Sequence, residues 1–195
     1  VSYMTSREVY GRDASRFFNA VTGWTRRLPY EKLSAAPDGL RRRLMELIEA
    51  ETINARRGEE AAITAKVNAL SDPNIILALD RAARAGVRVR LNVRGACCLK
   101  PTQAGGGIEI VRLVDRFLEH ARILKFHHGG KPLLFISSAD WMTRNLDRRI
   151  ELLVPIEDPA CRERLDEALE TYFRDRCKLR RLEPSGQWTR LQPEK

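Results

Sequence analysis

The sequence has 195 residues, of which 43% are hydrophobic and 31% are charged. This balance is typical of a folded globular protein and excludes a disordered tail. No apolar run approaches the roughly 20 residues that a membrane-spanning helix needs, so no transmembrane segment is expected. The formal net charge of +9 predicts an anionic partner, and charge alone does not choose among phosphate chains, nucleotides, nucleic acid and an acidic membrane face.

The first 58 residues have the pattern of a helical segment. Apolar residues at helical spacing predict helices over 6–22 and 38–57. Residues 24–36 have no clear period and are predicted to form a loop. We therefore assign residues 1–58 to an N-terminal helical segment.

From residue 59 the pattern becomes that of an α/β domain. A strand over 63–68, a helix over 72–86 and a period-2 strand over 87–93 predict a strand–helix–strand crossover between parallel strands. Further elements are predicted downstream: strands near 108–113, 121–126, 132–137 and 149–155, a helical turn over 115–119 and a helix over 158–174.

These elements predict a mixed β-sheet over residues 60–156, flanked by helices over about 38–57, 72–85 and 158–174. The α/β domain is assigned to residues 59–182. Residues 183–195 are polar and weakly patterned, so they are assigned to a tail.

The cysteines are not spaced as metal ligands. Cys97 and Cys98 are adjacent, whereas Cys161 and Cys177 are isolated, and no Cys-x-x-Cys pair occurs. We expect reduced, mostly buried thiols and no metal site in this chain.

Two polar pairs suggest a site that handles a phosphoryl group. His120 and Arg122 stand two residues apart in a strand-like context, as do Ser138 and Asp140. Residues at this spacing point to one face of a strand, and a Gly129-Gly130 turn between the two runs would bring the strands together. Histidine suits phosphoryl transfer because its imidazole serves as nucleophile or as acid near neutral pH.

Other side chains are expected around this pair. Arg94 ends a strand, where open α/β sheets collect ligands, and its guanidinium suits phosphate oxygens. Lys66 and Asn68 share one strand face and are weaker candidates for phosphate contact. Asp140 and Asp147 either hold Mg²⁺ or orient arginines, and we favour the second because arginines are close in sequence. Trp141 is predicted to be a core residue.

The residues quoted above resemble a known family. The pairs resemble the His-x-Lys and Gly-Ser-x-Asn halves of the phospholipase D superfamily motif, with Arg122, Ser137 and Asp140 as departures. Longer runs resemble the C-terminal, second phospholipase D-like catalytic domain of the long bacterial polyphosphate kinase. These runs are Arg-Gly-Ala-Cys-Cys-Leu over 94–99, Phe-Leu-Glu-His-x-Arg over 117–122 and Ser-Ala-Asp-Trp-Met-x-Arg-Asn-Leu-Asp-x-Arg over 138–149.

The resemblance implies a phospholipase D-like fold and an ATP:polyphosphate phosphotransferase. In that family ATP, with Mg²⁺, reversibly extends polyphosphate through a phosphohistidine that belongs to the preceding catalytic half. The metal ligands are expected outside this chain. The resemblance further implies a homo-oligomer in the cytoplasm, peripheral at the inner membrane, with no specific nucleic acid partner.

The family's site residues carry over to few positions. Arg94 and His120 match positions that contact ATP, with His120 also the catalytic candidate. Arg122 and Ser138 are assigned to ATP or phosphate binding. Asp140 and Asn145 are assigned orienting roles. Where the family has Phe-Glu-Asn-Gly-Gly, residues 126–130 read Phe-His-His-Gly-Gly, which removes an acidic group.

Two other classes of function remain open. A phospholipase D-type phosphodiesterase or nuclease would use the same residues on a phosphodiester without ATP. A non-catalytic polyanion-binding module would need only the positive charge, and its binding would fall steeply with salt.

Overall fold

The computed structural model describes residues 2–24, 29–101, 105–175 and 177–192. Within them lie five helices: α1 (Glu8–Val21), α2 (Leu40–Arg56), α3 (Pro73–Arg84), α4 (Thr143–Asp147) and α5 (Pro159–Arg174). The same residues form nine strands: β1 (Ser34–Ala36), β2 (Ala62–Val67), β3 (Arg88–Val93), β4 (Ile108–Arg112), β5 (Ile123–Phe126), β6 (Leu133–Ser137), β7 (Glu151–Pro155), β8 (Arg180–Leu182) and β9 (Trp188–Arg190).

All nine strands belong to one mixed sheet, in the order β1-β7-β6-β5-β2-β3-β4-β8-β9. β2, β3 and β4 are parallel to one another, and the other neighbouring strands are antiparallel. The predicted α/β class and the mixed sheet flanked by helices are therefore confirmed. In the described residues no helix is both long and apolar enough to cross a membrane.

The crossover from β2 through α3 to β3 follows from local sequence signals. The Asp72 side chain accepts hydrogen bonds from the backbone N–H groups of Asn74 and Ile75, and Pro73 occupies the first helical position. An aspartate cap followed by proline favours a helix start at this point. The helix returns the chain to β3, which pairs in parallel with β2 over residues 88–93.

Helices cover both faces of the sheet. The larger core cluster contains apolar residues of α2 and α3 together with alternate strand residues such as Leu124. The smaller cluster contains Leu169 and Phe173 of α5 with Ile123. Because neighbouring strand residues point to opposite faces, Ile123 and Leu124 place these clusters on opposite sides of the sheet. Trp141 is buried in the larger cluster, as predicted.

Several short elements were predicted wrongly. Residues 34–36, predicted as loop, form β1 and pair with β7. β8 and β9 lie beyond the predicted limits of the sheet, and β9 falls in the region assigned to a polar tail. Strands of three residues are too short to show a period. Residues 115–119, predicted as a helical turn, contain a bend over 115–117 and no helix.

The cysteine prediction was partly wrong. The four thiols are free, but Cys97 and Cys161 are half-buried and Cys98 and Cys177 are exposed. Because they lie in loops and on a helix surface, the usual burial of free cysteine does not apply to them.

The glycines near residue 106 are required by close packing, where the sequence indicated only a flexible loop. The Gly106 N–H donates to the carbonyl oxygen of Ala83 at the end of α3 (2.9 Å). A Cβ on Gly106 would lie 2.3 Å from the carbonyl oxygen of Val87. A side chain at this position would therefore force the turn away from the sheet.

An ion-pair node joins three helices on one side of the sheet. Arg41 of α2 binds both carboxylate oxygens of Asp72 (2.7 Å each) and both of Asp147 in α4 (2.7 and 2.8 Å). The Thr143 hydroxyl donates to Asp72 (2.8 Å). Burial alone would raise the pKa of Asp72, but hydrogen bonds from Arg41 and Thr143 hold it below the ordinary value. Asp147 thus orients an arginine, although Arg41 is distant in sequence.

We expect Asp72→Asn to lower the free energy of unfolding by about 2 kcal/mol, because it removes the buried one of the two carboxylates that Arg41 binds, while Asp147 still pairs with the guanidinium. The control is Asp80→Asn in the same helix, which breaks a more exposed pair with Arg84 and should cost about 0.5 kcal/mol. Urea unfolding near neutral pH measures both.

The stability that Asp72 contributes should depend on pH in a definite direction. The pKa of Asp72 is depressed in the folded protein, so its contribution is complete above the unfolded-state pKa and is lost as pH falls through the folded value. The stability gap between the unmodified chain and Asp72→Asn should therefore narrow on acidification. A gap that is constant down to strongly acidic pH would contradict the ion-pair account.

Candidate active site

The candidate site lies at one edge of the sheet, where four strand ends meet. β2 and β3 are parallel, so Asn68 and Arg94 follow their carboxyl ends on the same edge. β5 is antiparallel to β2, so Arg122 precedes β5 at that edge. β6 is antiparallel to β5 and returns Ser138 to it. The topology therefore gathers residues that are up to 70 positions apart in sequence.

Arg122 links His120 to Asp140. Its Nε and Nη2 donate to the two carboxylate oxygens of Asp140 (3.1 and 2.9 Å). Its Nη1 donates to the His120 carbonyl oxygen (3.2 Å) and lies 3.3 Å from His120 Nδ1. His120 and Arg122 therefore lie side by side, as predicted, but both precede β5 and do not stand on the strand that was expected to align them. Each guanidinium nitrogen already has an acceptor.

Asp140 is buried and fixed from two sides. Besides Arg122, its Oδ1 accepts from the backbone N–H groups of Asn68 (2.7 Å) and Ala69 (3.3 Å). Burial would raise the pKa of Asp140, but the hydrogen bonds from Arg122 and Asn68 lower it overall. The carboxylate is therefore ionised at neutral pH and serves as a fixed anchor for Arg122.

His120 is exposed and uncharged at neutral pH. The positive charge of Arg122, then partial burial, then Arg94 lower the pKa of the imidazole, and Asp140 offsets only part of this. Because a guanidinium only donates, Nδ1 accepts from Arg122 and the proton of the neutral ring sits on Nε2. His120 thus offers an N–H donor to a ligand at this edge.

Arg94 is half-buried and has a free donor. Its Nη1 is buried and has no hydrogen-bond partner in the part of the chain that the structure describes. Arg94 is also close enough to lower the pKa values of both His120 and Lys66. A buried cationic donor without an acceptor is costly unless a ligand supplies one. Arg94 is therefore suited to bind an anion.

Ser138 takes part in a second polar cluster, around Glu151. Its hydroxyl donates to Glu151 Oε2 (2.5 Å) and accepts from the Leu152 N–H (2.9 Å). Asn145 Nδ2 donates to the other oxygen of Glu151 (2.7 Å). The sequence analysis missed Glu151, a buried carboxylate at the start of β7. An acidic residue that opens an apolar strand was the signal that could have found it.

A cleft of about 350 Å³ opens beside His120, Arg122 and Ser138, and Arg94 is not among the residues that line it. Its other lining residues are Ala121, Ile136, Ser137, Leu152 and Val154. The cleft has polar donors against an apolar floor, which is the usual make-up of a small-molecule site.

Lys66 and Asn68 do not face a ligand, which corrects the expectation of phosphate contact. The Lys66 side chain is completely buried, and its ammonium donates to the carbonyl oxygens of Glu119 (2.7 Å) and Ala121 (3.1 Å). Asn68 Nδ2 donates to the His120 carbonyl oxygen (3.5 Å). Both side chains turn inward because β2 is central in the sheet and α5 covers this face.

The carboxylates near the site do not suit a metal ion. Asp140 is paired with Arg122, and Asp147 with Arg41. In the described ranges, no group of three or more His, Cys, Asp or Glu residues has the geometry to hold a metal.

His127 and His128 lie away from the site. They follow β5 and so stand at the opposite edge of the sheet from His120. His127 Nε2 is 3.6 Å from Glu60, and the His128 N–H donates to the buried Glu51 (2.6 Å). They are structural parts of the hairpin between β5 and β6.

Sequence comparison identifies the family of the chain. Residues 33–195 match the family model of the polyphosphate kinase C-terminal domain 2. The chain is 53% identical to a polyphosphate kinase of Rhodopirellula baltica over its whole length and 42% identical to one of Pseudomonas aeruginosa over 98% of its length. It spans only 23% and 28% of these relatives, about a quarter of their length.

Structural comparison agrees with the sequence. The crystal structure of a polyphosphate kinase from Porphyromonas gingivalis superposes with a TM-score of 0.94 at 39% identity, covering 98% of this chain and 30% of that one. A phospholipase D family member, Nuc from Salmonella typhimurium, shares the fold at 14% identity, with a TM-score of 0.54 over 73% of this chain and 92% of that one. The chain therefore belongs to the polyphosphate kinase C-terminal domain 2 family.

Proposed function

We propose that this chain is the C-terminal part of an ATP:polyphosphate phosphotransferase, which moves the terminal phosphate of ATP reversibly to polyphosphate. Membership of the family supports this class of reaction. The observation that carries the proposal is the unpartnered, buried Nη1 of Arg94 at the same sheet edge as the neutral imidazole of His120. A phosphate group at this edge would accept a hydrogen bond from each of these two donors.

Each site residue then has a distinct role. Arg94 binds phosphate oxygens, which are charged before and during transfer. The Nε2–H of His120 donates a hydrogen bond to the oxygen that gains charge as the phosphoryl group moves, and the proton stays on the imidazole. Arg122 holds His120 in the required tautomer, and Asp140 holds Arg122. Ser138 has two possible roles. Its hydroxyl either breaks the hydrogen bond to Glu151 and donates to the ligand, or keeps that bond and holds the cleft wall in place.

The nucleophile is proposed to lie in the preceding catalytic half of the longer polypeptide. A nitrogen of a histidine there forms a bond to the γ-phosphorus while the bond from that phosphorus to the bridging oxygen breaks, and ADP leaves. A terminal polyphosphate oxygen then displaces the histidine. His120 cannot supply both nucleophile and donor, and the other histidines of this chain are at the far edge of the sheet.

An exposed apolar segment next to His120 supports docking of that half. Val114, Phe117 and Leu118 are 63%, 74% and 74% exposed. Such a cluster marks an interaction surface. Since the relatives are about four times longer than this chain, we propose that the rest of the polypeptide covers these residues and completes the site.

Further features of the enzyme are proposed from the family resemblance. Its Mg²⁺ ligands would come from outside this chain. It would act as a homo-oligomer in the cytoplasm, with ATP, ADP and inorganic polyphosphate as its ligands. The net charge of +9 favours both polyphosphate binding and a peripheral contact with the anionic inner membrane.

The two other functions make different demands. A phospholipase D-type diesterase should hydrolyse a phosphodiester such as bis(p-nitrophenyl) phosphate without ATP. A non-catalytic polyanion-binding module should keep its affinity for polyphosphate after loss of His120 and should catalyse no reaction. The unpartnered donor of Arg94 is compatible with both of these functions. Activity measurements are therefore needed to distinguish them from the proposed phosphotransferase.

The isolated chain should not become phosphorylated. Incubation with γ-labelled ATP and Mg²⁺ should leave it unlabelled, because the nucleophilic histidine is proposed to lie in the preceding half. The full-length enzyme under the same conditions is the positive control. Stoichiometric, acid-labile labelling of the isolated chain would show that the nucleophile is His120, His127 or His128.

In the full-length enzyme, His120→Ala should lower kcat by roughly 10²–10⁴-fold with a smaller effect on the KM for ATP. The reason is that its hydrogen bond strengthens in the transition state. Arg94→Ala should impair both parameters, because its partner is charged throughout. Arg88→Ala is the matched control, since Arg88 begins the strand that Arg94 follows and lies at its opposite end. Near-normal turnover of His120→Ala would leave His120 a structural residue.

A second substitution separates the two roles that a histidine can play. The amide nitrogen of glutamine can replace an imidazole Nε2–H as a hydrogen-bond donor but cannot transfer a proton. If His120 only stabilises charge, His120→Gln should recover at least about 10-fold of the kcat lost in His120→Ala. Equal kcat values for the two variants would assign His120 a proton-transfer role.

A further inference from the structure

The backbone at His120 and on both sides of it is held by one side chain of β2 and one that follows β2 directly. Lys66 Nζ binds the carbonyl oxygens of Glu119 and Ala121, and Asn68 Nδ2 binds the carbonyl oxygen of His120 itself. Three consecutive carbonyl groups are thus occupied. This segment precedes β5 and lies outside its ladder, so its position depends on these side-chain contacts.

A third contact to Lys66 comes from the helix on that face. The ammonium lies 5.1 Å from the ring centroid of Tyr172 in α5, a cation–π distance. The Tyr172 hydroxyl donates to Glu119 Oε2 (2.6 Å). The loop that carries His120 is therefore held by contacts from both Lys66 of β2 and Tyr172 of α5.

A fully buried ammonium is costly in this position. Burial, followed by the nearby charges of Arg94 and Arg122, lowers the pKa of Lys66 to about 8, while Glu119 and Asp140 offset part of the effect. No carboxylate in the described residues forms a direct ion pair with it. A buried cation beside two arginines weakens folding, and groups of this kind concentrate at functional sites.

We propose that Lys66 is a positioning residue, which fixes His120 through the carbonyl groups of Glu119 and Ala121 and adds its charge to the anion-binding field of Arg94. Lys66 does not touch phosphate. Its contact with the loop is independent of any activity, whereas its importance for turnover rests on the proposed phosphotransferase function.

The test of the contact uses NMR on the 195-residue chain. Only three histidines are present, so the His120 ring signals can be assigned by comparison with His120→Ala. Lys66→Met keeps the length of the side chain and removes the ammonium. We expect increased mobility of the His120 ring and backbone, and a pKa of His120 that rises because one of its cationic neighbours is lost. The groups facing the ring are Arg122, Arg94, Asp140 and Lys66.

Lys125→Met is the matched control. Lys125 lies on β5, four residues beyond Ala121, and its ammonium binds Asp166 of α5 (2.5 Å) and no carbonyl of the His120 loop. This variant should leave the mobility and the pKa of His120 unchanged. Equal behaviour of His120 in the Lys66→Met and unmodified chains would overturn the proposal.

A measurement on the unmodified chain covers the case in which Lys66→Met does not fold. The ammonium protons of Lys66 should exchange slowly with water, because the group is buried, and should show through-space contacts to Ala121 and Tyr172. A Lys66 ammonium that exchanges fast and lacks these contacts would rule out the proposed hydrogen bonds from Lys66 to the His120 loop.

The full-length enzyme separates the two proposals. Lys66→Met should lower kcat by about 10–100-fold, with less than about 3-fold change in the KM for ATP, because misplacement of a catalytic group by about 1 Å is enough for such a loss. Lys66→Met could alter His120 in the NMR experiment while His120→Ala has normal turnover. The contact of Lys66 with the loop would then be supported, and the phosphotransferase role of His120 would be wrong. Normal kcat of Lys66→Met with a defective His120→Ala would overturn the positioning role.

Discussion

The ion pair between Arg122 and Asp140 is the contact on which the site depends. Arg122 stands before β5 and Asp140 follows β6, so their ion pair closes the open end of this hairpin. Asp140 also accepts from backbone N–H groups that follow β2, which ties the hairpin to β2. The same guanidinium sets the tautomer of His120 and lowers its pKa. Without the pair, His120 would lose the contact that sets its tautomer and the largest single cause of its lowered pKa, while Lys66 and Asn68 would still hold its backbone.

The site has an excess of positive charge that the described residues do not neutralise. Lys66, Arg94 and Arg122 lie close enough to influence one another, and only Asp140 and Glu119 oppose them. This arrangement is unfavourable for the free protein and favourable once an anion is bound, so part of the binding energy is available from relief of repulsion. A highly charged phosphate chain, the ligand proposed for this site, would match this field.

The sequence predicted those parts of the molecule whose signals are local. The β2–α3–β3 crossover has clear periods and an Asp72-Pro73 helix start, and the spacing of His120 and Arg122 is enough to place them together. Residues 34–36 and 188–190 are too short for a period, so their pairing was not predictable. Likewise, the inward orientation of Lys66, the cluster around Glu151 and the pairing of Arg41 with Asp147 depend on contacts between distant segments, which no single window of sequence contains.

The most direct test of the account is calorimetric titration of the 195-residue chain with tripolyphosphate. The unpartnered Nη1 of Arg94 should bind a phosphate oxygen, and a charge-assisted hydrogen bond of this kind is worth about 1.5–3 kcal/mol. Arg94→Ala should therefore weaken binding by roughly 10–100-fold, whereas Arg88→Ala, which removes the same charge from the other end of β3, should change it by less than about 2-fold. Equal affinities of these two variants would mean that only net charge attracts the ligand, and would contradict a built phosphate site at Arg94.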